Sequence, residues 1–228
     1  MDNSIHRLSI IIATIEEESV FSLIKQLRRK FGNPEIIIID KSPDGYYKRL
    51  LSTGCVVIRQ RDNGVENALM LGLSAAHGDI LASIDADGTH SIDGIAKGIS
   101  LIKEGKSDFV LGNRFAGIKK GSMPAYVRLG NRLLSAIYAL VYGGKRLDIL
   151  SGLFVMRRHA FDAIADIKPY RAGTAFFAIE LATRGFRITE VPISYSKRKY
   201  GRSKLAKSKL LYGVGVAAHI ISKARYRQ

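Results

Sequence analysis

The chain has 228 residues, 46% hydrophobic and 25% charged, a balance that buries one sizeable core and excludes an intrinsically disordered chain. Its 36 Lys+Arg against 20 Asp+Glu give a net charge of +16. A single cysteine, Cys55, excludes an internal disulfide and fits a reducing compartment. The first apolar run is short and is followed at once by Glu16, Glu17 and Glu18, so no secretory signal is read and a cytoplasmic chain is expected.

In chain order, residues 8–13 and 35–40 are near-continuous apolar runs and predict strands buried on both faces. Between them Val20, Leu23, Ile24 and Leu27 recur at helical spacing until Gly32-Asn33-Pro34 stops the helix. Residues 55–58, 80–84 and 108–111 predict further strands, with a helix over 67–76; Cys55 is read as core. Residues 122–142 predict one long helix ended by Gly143-Gly144, with Arg128 and Arg132 one turn apart and Tyr126 and Tyr138 as packing residues. A strand over 152–156, a helix over 172–183 and a strand over 187–193 follow. Alternating strands and helices predict an α/β fold with a mainly parallel sheet covered on both faces, its ligands at the carboxyl ends of the strands. The final apolar stretch, 210–222, is 13 residues long where a bilayer span needs about 20, so it is expected to lie on a membrane rather than cross it.

The positive charge is segregated. Residues 109–147 contain no acid but seven Lys or Arg, and residues 191–228 contain no acid but ten. Such a field suits an anionic membrane, phosphate-rich substrates or nucleic acid; with no zinc-finger, RNP or basic-zipper pattern in the chain, nucleic acid is not expected.

The sharpest motif is Asp85-Ala86-Asp87-Gly88-Thr89-His90, two carboxylates one residue apart after an apolar strand. Both can turn toward one hard cation, Mg²⁺ or Mn²⁺, which also takes phosphate oxygens. The competing reading is a helix cap before Ile95 and Ile99, which needs only one acid. His77, His90 and His159 show no metal-ligand spacing. A haloacid-dehalogenase-type phosphatase also presents Asp-x-Asp-Gly-Thr, but after its first strand and with a later Gly-Asp-x-x-x-Asp segment; here the motif follows the fourth predicted strand and that segment is missing.

Six segments in order resemble the family 2 glycosyltransferases of the GT-A fold, especially their polyprenyl-phosphate branch. They are Ser9 to Glu17, Asp40 to Gly45, Gly78 to Asp87, Gly112-Asn113-Arg114-Phe115, Asp148 to Gly152, and Glu190-Val191-Pro192-Ile193 with Arg198 to Lys204. The resemblance implies one GT-A domain over 1–228 with a basic amphipathic segment at 205–228. It implies an inverting, metal-dependent transferase that moves a hexose, mannose first, from a nucleotide-diphosphate sugar to a polyprenyl (dolichyl) phosphate. Asp85, Asp87 and Thr89 then hold Mg²⁺ or Mn²⁺, Thr89 standing where relatives often have a Gln that can join the two carboxylates. Thr14, Glu17, Asp40, Asp85, Arg198 and Lys204 contact the donor, Arg114 and Arg128 the acceptor phosphate, and Asp87 and Arg114 are catalytic. Asp148 is either a base for a hydroxyl acceptor or the anchor of the Ser151-Gly152 turn. Ala13 and Ile15 stand where the family has Pro and Tyr, Lys41 where a second Asp or a small residue is usual, and Arg202 where it has Glu. These departures gather at the base-binding end, so transfer is better marked than the donor's identity. The alternatives are a hydroxyl acceptor on a glycan or glycolipid, or a non-catalytic basic protein on a degenerate transferase scaffold. An anionic membrane surface on the cytoplasmic face, or a membrane-anchoring partner, is the expected site of attachment.

Overall fold

The computed structural model describes residues 7–119, 121–198 and 209–226. Seven strands form one sheet in the order β3-β2-β1-β4-β6-β5-β7: β1 Leu8–Thr14, β2 Glu35–Asp40, β3 Val56–Arg59, β4 Ile80–Ser83, β5 Phe109–Ile118, β6 Phe154–Arg157 and β7 Ile188–Tyr195. All neighbouring pairs are parallel except those of β6, which runs antiparallel to both β4 and β5. The expected mainly parallel α/β sheet is therefore present, with one reversed strand.

The apolar runs behave as their continuity predicts. Ile11, Ile37 and Ile39 pack into one core beneath the sheet, and Ile10, Ile12, Ile36 and Ile38 into a second on the opposite face. Helices α1 (Ser19–Phe31), α2 (Asp44–Leu51) and α4 (Asp93–Lys103) cover the second; α3 (Val65–Ala75), α5 (Ala125–Tyr142), α7 (Ala175–Thr183) and α8 (Lys209–Lys223) cover the first. A single turn, α6 (Arg158–Asp162), follows β6. Gly32 closes α1 in the left-handed conformation, φ 65°, with its N–H on the Arg28 carbonyl, as glycine does most readily.

Several boundaries differ from the sequence reading. Helix α2 went unforeseen because it buries only Tyr46 and Leu50, too short a pattern to register. Strand β5 runs on to Ile118 because β7 pairs beside it as far as Tyr195. Pro192, lacking an N–H, is tolerated because β7 is an edge strand. Tyr138 is packed, with its hydroxyl donating to the Ala178 carbonyl, but Tyr126 points outward. Cys55 sits half-buried just before β3, against Arg28. Among the described residues, no helix is long and apolar enough to cross a membrane.

Candidate functional site

The carboxyl ends of β1, β2 and β4 lie side by side, because Thr14 pairs with Asp40 and Ile11 with Ser83. The chain leaving β4 therefore delivers Asp85 and Asp87 beside the loop that carries Glu17. The residues after them are fastened to the end of β7: Ser91 N–H donates to the Ser194 carbonyl (3.1 Å), Ser196 N–H donates to the Thr89 carbonyl (2.9 Å), and His90 forms an isolated bridge with Tyr195. That clasp carries the chain on to Arg198, whose guanidinium spans Glu17 Oε1 (2.7 Å) and Asp87 Oδ2 (2.8 Å). Neither aspartate caps α4, whose N-terminus has no side-chain cap, so the capping alternative falls away.

Asp85, Asp87 and His90 each offer a ligand atom, and these atoms lie within 4.8 Å of one another. Thr89 donates from both N–H (3.0 Å) and hydroxyl (2.7 Å) to Asp87 Oδ1, fixing that carboxylate. Opposite, a Cβ on Gly152 would lie 2.1 Å from Asp85 Oδ1, so only glycine leaves room for the carboxylate. Although 44% of its side chain reaches solvent, desolvation of the rest raises the Asp85 carboxyl above its ordinary value, and the Asp87 charge adds to this against the pull of His90, Arg114 and Arg198. Burial pushes the His90 imidazole below its ordinary value, with the Asp85 charge opposing that shift. Two carboxylates converging with an imidazole suit a divalent cation.

Other expected residues occupy different places. Asp40 is 0% exposed; its oxygens accept from Ser42 N–H (3.2 Å) and hydroxyl (2.5 Å) and from Arg59 (3.2 Å), so it lies beneath the loop that carries Glu16 and Glu17. Ser42 passes the support on, accepting from Glu16 N–H at 2.7 Å, and Tyr46 donates to the Glu17 carbonyl at 2.7 Å. Thr14 is buried at the end of β1. Arg114, expected on an acceptor phosphate, is instead buried and donates through Nε and Nη2 to the two oxygens of Asp148, at 2.8 and 2.7 Å. Arg128 is exposed on α5, and no described contact joins it to the carboxylates. Lys204 lies outside the described residues.

The Arg114–Asp148 pair bears on the two readings of Asp148. Both its oxygens are engaged, Arg114 N–H adds a third contact at 3.0 Å, and the Asp148 carbonyl accepts from Ser151 N–H at 3.0 Å. Asp148 thus begins the turn that presents Gly152, its side chain held by Arg114 and its carbonyl by Ser151. Glu190, given no role from sequence, accepts from the Asp148 N–H (3.1 Å) and from Asn113, and burial raises its carboxyl. The Glu-Val-Pro-Ile segment was visible, but its partners stand 42 and 77 residues away.

Gly152→Ala is expected to leave the circular dichroism spectrum unchanged and to weaken Mn²⁺ binding by about ten-fold or more, the scale of a lost supporting contact. Calorimetric titration checks this, and an unchanged affinity would show that Asp85 does not depend on that gap.

The chain matches the family described as "Glycosyl transferase family 2" over residues 9–165. The dolichol-phosphate mannosyltransferase of Pyrococcus furiosus is 27% identical over 211 residues, 87% of this chain and 59% of that protein. The dolichyl-phosphate hexose transferase of Haloferax volcanii is 29% identical over 205 residues, 87% and 86% of the two chains. The low-salt glycan biosynthesis hexosyltransferase Agl6 of the same organism is 26% identical over 199 residues, 84% of this chain and 48% of that protein. The chain spans 48% and 59% of the length of two of these curated relatives. A crystal structure of Mycobacterium tuberculosis glucosyl-3-phosphoglycerate synthase with Mn²⁺, uridine diphosphate and glucosyl-3-phosphoglycerate shares the fold, with TM-score 0.72 at 19% identity over 96% of this chain and 80% of that one. The chain belongs to the family 2 glycosyltransferases and has their GT-A fold.

Proposed function

We propose that the chain moves a hexose, mannose first among candidates, from a nucleotide-diphosphate sugar to a polyprenyl phosphate, with inversion and a divalent cation. The observation that carries this reading is the convergence of Asp85 and Asp87 under Arg198 at the carboxyl end of β4. The names of relatives that act with dolichyl phosphate support the acceptor class.

In this reading Asp85 and Asp87 hold Mg²⁺ or Mn²⁺, which supplies charge neutralisation for the departing nucleotide diphosphate. Thr89 keeps Asp87 turned to that position. Glu17 contacts the donor, and Asp40 acts beneath it by fixing Ser42 and the donor loop. Arg198 exchanges its carboxylate partners for diphosphate oxygens, to which its planar fork is suited; Lys204 is assigned to the same phosphates. Arg114 contributes fixed positive charge behind the carboxylates, and Arg128 meets the acceptor phosphate from α5.

A lipid monophosphate is already ionised near neutral pH and attacks the anomeric carbon without a base, whereas a hydroxyl acceptor needs one. Asp148, the acid proposed for that task, is locked in the Arg114 fork, which favours the phosphate acceptor. The work left to the protein is orientation and charge neutralisation.

The lipid acceptor also gives the outer helices a use. On α5, Leu129 and Leu140 are 72% and 86% exposed and alternate with exposed Arg128 and Arg132; on the adjoining α8, Val214 and Ile221 also face outward. An apolar strip edged with arginine suits an anionic membrane surface. Attachment there, directly or beside an anchoring partner, places the cleft near the lipid phosphate.

Purified protein with Mn²⁺, a short polyprenyl phosphate and labelled GDP-mannose, UDP-glucose or UDP-N-acetylglucosamine is expected to transfer label to the lipid phase from one donor. Chelation should abolish transfer, and Asp87→Asn should lower it by about 10²-fold or more. Absence of transfer from every donor by folded protein would sink the reading. Separately, the protein is expected to float with vesicles containing phosphatidylserine and to remain behind when Leu129→Glu and Leu133→Glu are combined; equal flotation of both would remove α5 from the contact.

A further inference from the structure

His90 is a chemically active group among the described residues of the cleft that the proposed reaction leaves unused. Its side chain is 0% exposed and is poorly satisfied by the protein around it. Nε2 has no hydrogen-bond partner among the described residues, while Nδ1 stands 3.5 Å from Asp85 Oδ2 and 3.2 Å from the Thr89 hydroxyl. The first separation is long for a hydrogen bond. The Thr89 hydroxyl donates to Asp87 at 2.7 Å, so it does not donate to Nδ1 and leaves the Nδ1 lone pair of the Nε2–H tautomer without a donor.

The ring is held in place independently of any ligand. It meets Tyr195 edge to face at 5.2 Å, and the backbone on both sides is fastened to β7 by the Ser91–Ser194 and Thr89–Ser196 hydrogen bonds. A buried, fixed imidazole with unmet hydrogen-bonding capacity, whose nitrogen lies within 4.8 Å of oxygens of both Asp85 and Asp87, is placed as a ligand. Thr89, committed to Asp87, is placed to orient one.

We propose that His90 is the third protein ligand of the cation held by Asp85 and Asp87, and that its nitrogen biases the site toward first-row transition ions over Mg²⁺. This rests on the metal-dependent reading of the same site. The chemical ground is that Mg²⁺ takes oxygen ligands and keeps its waters, whereas imidazole is a good ligand for the transition ions. Thr89 then supports Asp87 from behind, and the metal set becomes two carboxylates and one imidazole.

The test uses the full chain with Mn²⁺ and GDP or UDP, read by pulsed electron paramagnetic resonance. A ¹⁴N coupling to Mn²⁺ is expected that changes to the ¹⁵N pattern when histidine is ¹⁵N-labelled and disappears in His90→Gln. In competition titrations His90→Gln is expected to lower the ratio of Mn²⁺ to Mg²⁺ affinity by about ten-fold, with the melting temperature of the metal-free protein unchanged. His90→Asn serves as the second variant if Gln perturbs folding. A Mn²⁺ signal that Asp87→Asn abolishes but that carries no histidine nitrogen in the wild type would overturn the assignment of His90 alone. A ¹⁵N coupling that persists in ¹⁵N-histidine-labelled His90→Gln would do the same, since it must come from another histidine. Failure of Mn²⁺ to bind saturably would remove both this assignment and the metal-dependent reading beneath it.

Discussion

Two carboxylates placed one residue apart at the mouth of a sheet repel each other, and the architecture around them is arranged to hold that repulsion in check. Asp87 is met by Arg198 and by two donors from Thr89; Asp85 fits the space that Gly152 leaves and faces His90. Each restraint comes from a different part of the chain. Arg198 arrives through the β7 clasp, Gly152 through the Asp148 turn, and Asp148 through the buried fork of Arg114. A breach in the Gly152, Asp148 or Arg114 supports loosens the same pair of oxygens, whereas Arg198 holds Asp87 by occupying it.

This dependence uses part of the segregated positive charge. The first acid-free stretch supplies Arg114, which holds Asp148, and the exposed arginines of α5; the second supplies Arg198. Breaking one side of a buried ion pair leaves an uncompensated charge, which costs about 3–5 kcal/mol, so Arg114 and Asp148 stand or fall together. The surplus that net charge alone would assign to a surface field is thus divided. Part of it is structural, buried beneath the cleft, and part remains on the outer helices.

Much of the sheet was legible because its cause is local. Ile10 to Ile12 and Ile36 to Ile39 have no polar face, and a strand without a polar face must be covered on both sides. The paired aspartates were legible for a similar reason, since two acids after an apolar strand have few uses. What escaped the sequence was long-range. His90 shows no partner at any histidine spacing, because its partners are the acids three and five residues before it and the Tyr195 ring across the clasp. What the motif could not show is burial, which seats Arg114 against Asp148 and Asp40 beneath Ser42. Helix α2, with two buried side chains, was below the length at which periodicity speaks.

The central claim is that Arg198 and a divalent cation compete for Asp87 until a diphosphate arrives to take the arginine. Calorimetric titration of Mn²⁺ into donor-free protein tests it directly. Arg198→Met is predicted to bind Mn²⁺ more tightly than the wild type, by about five-fold, or ~1 kcal/mol, because the competing guanidinium is gone. Equal or weaker binding by Arg198→Met would mean that the arginine and the metal do not share that carboxylate, and would contradict the account.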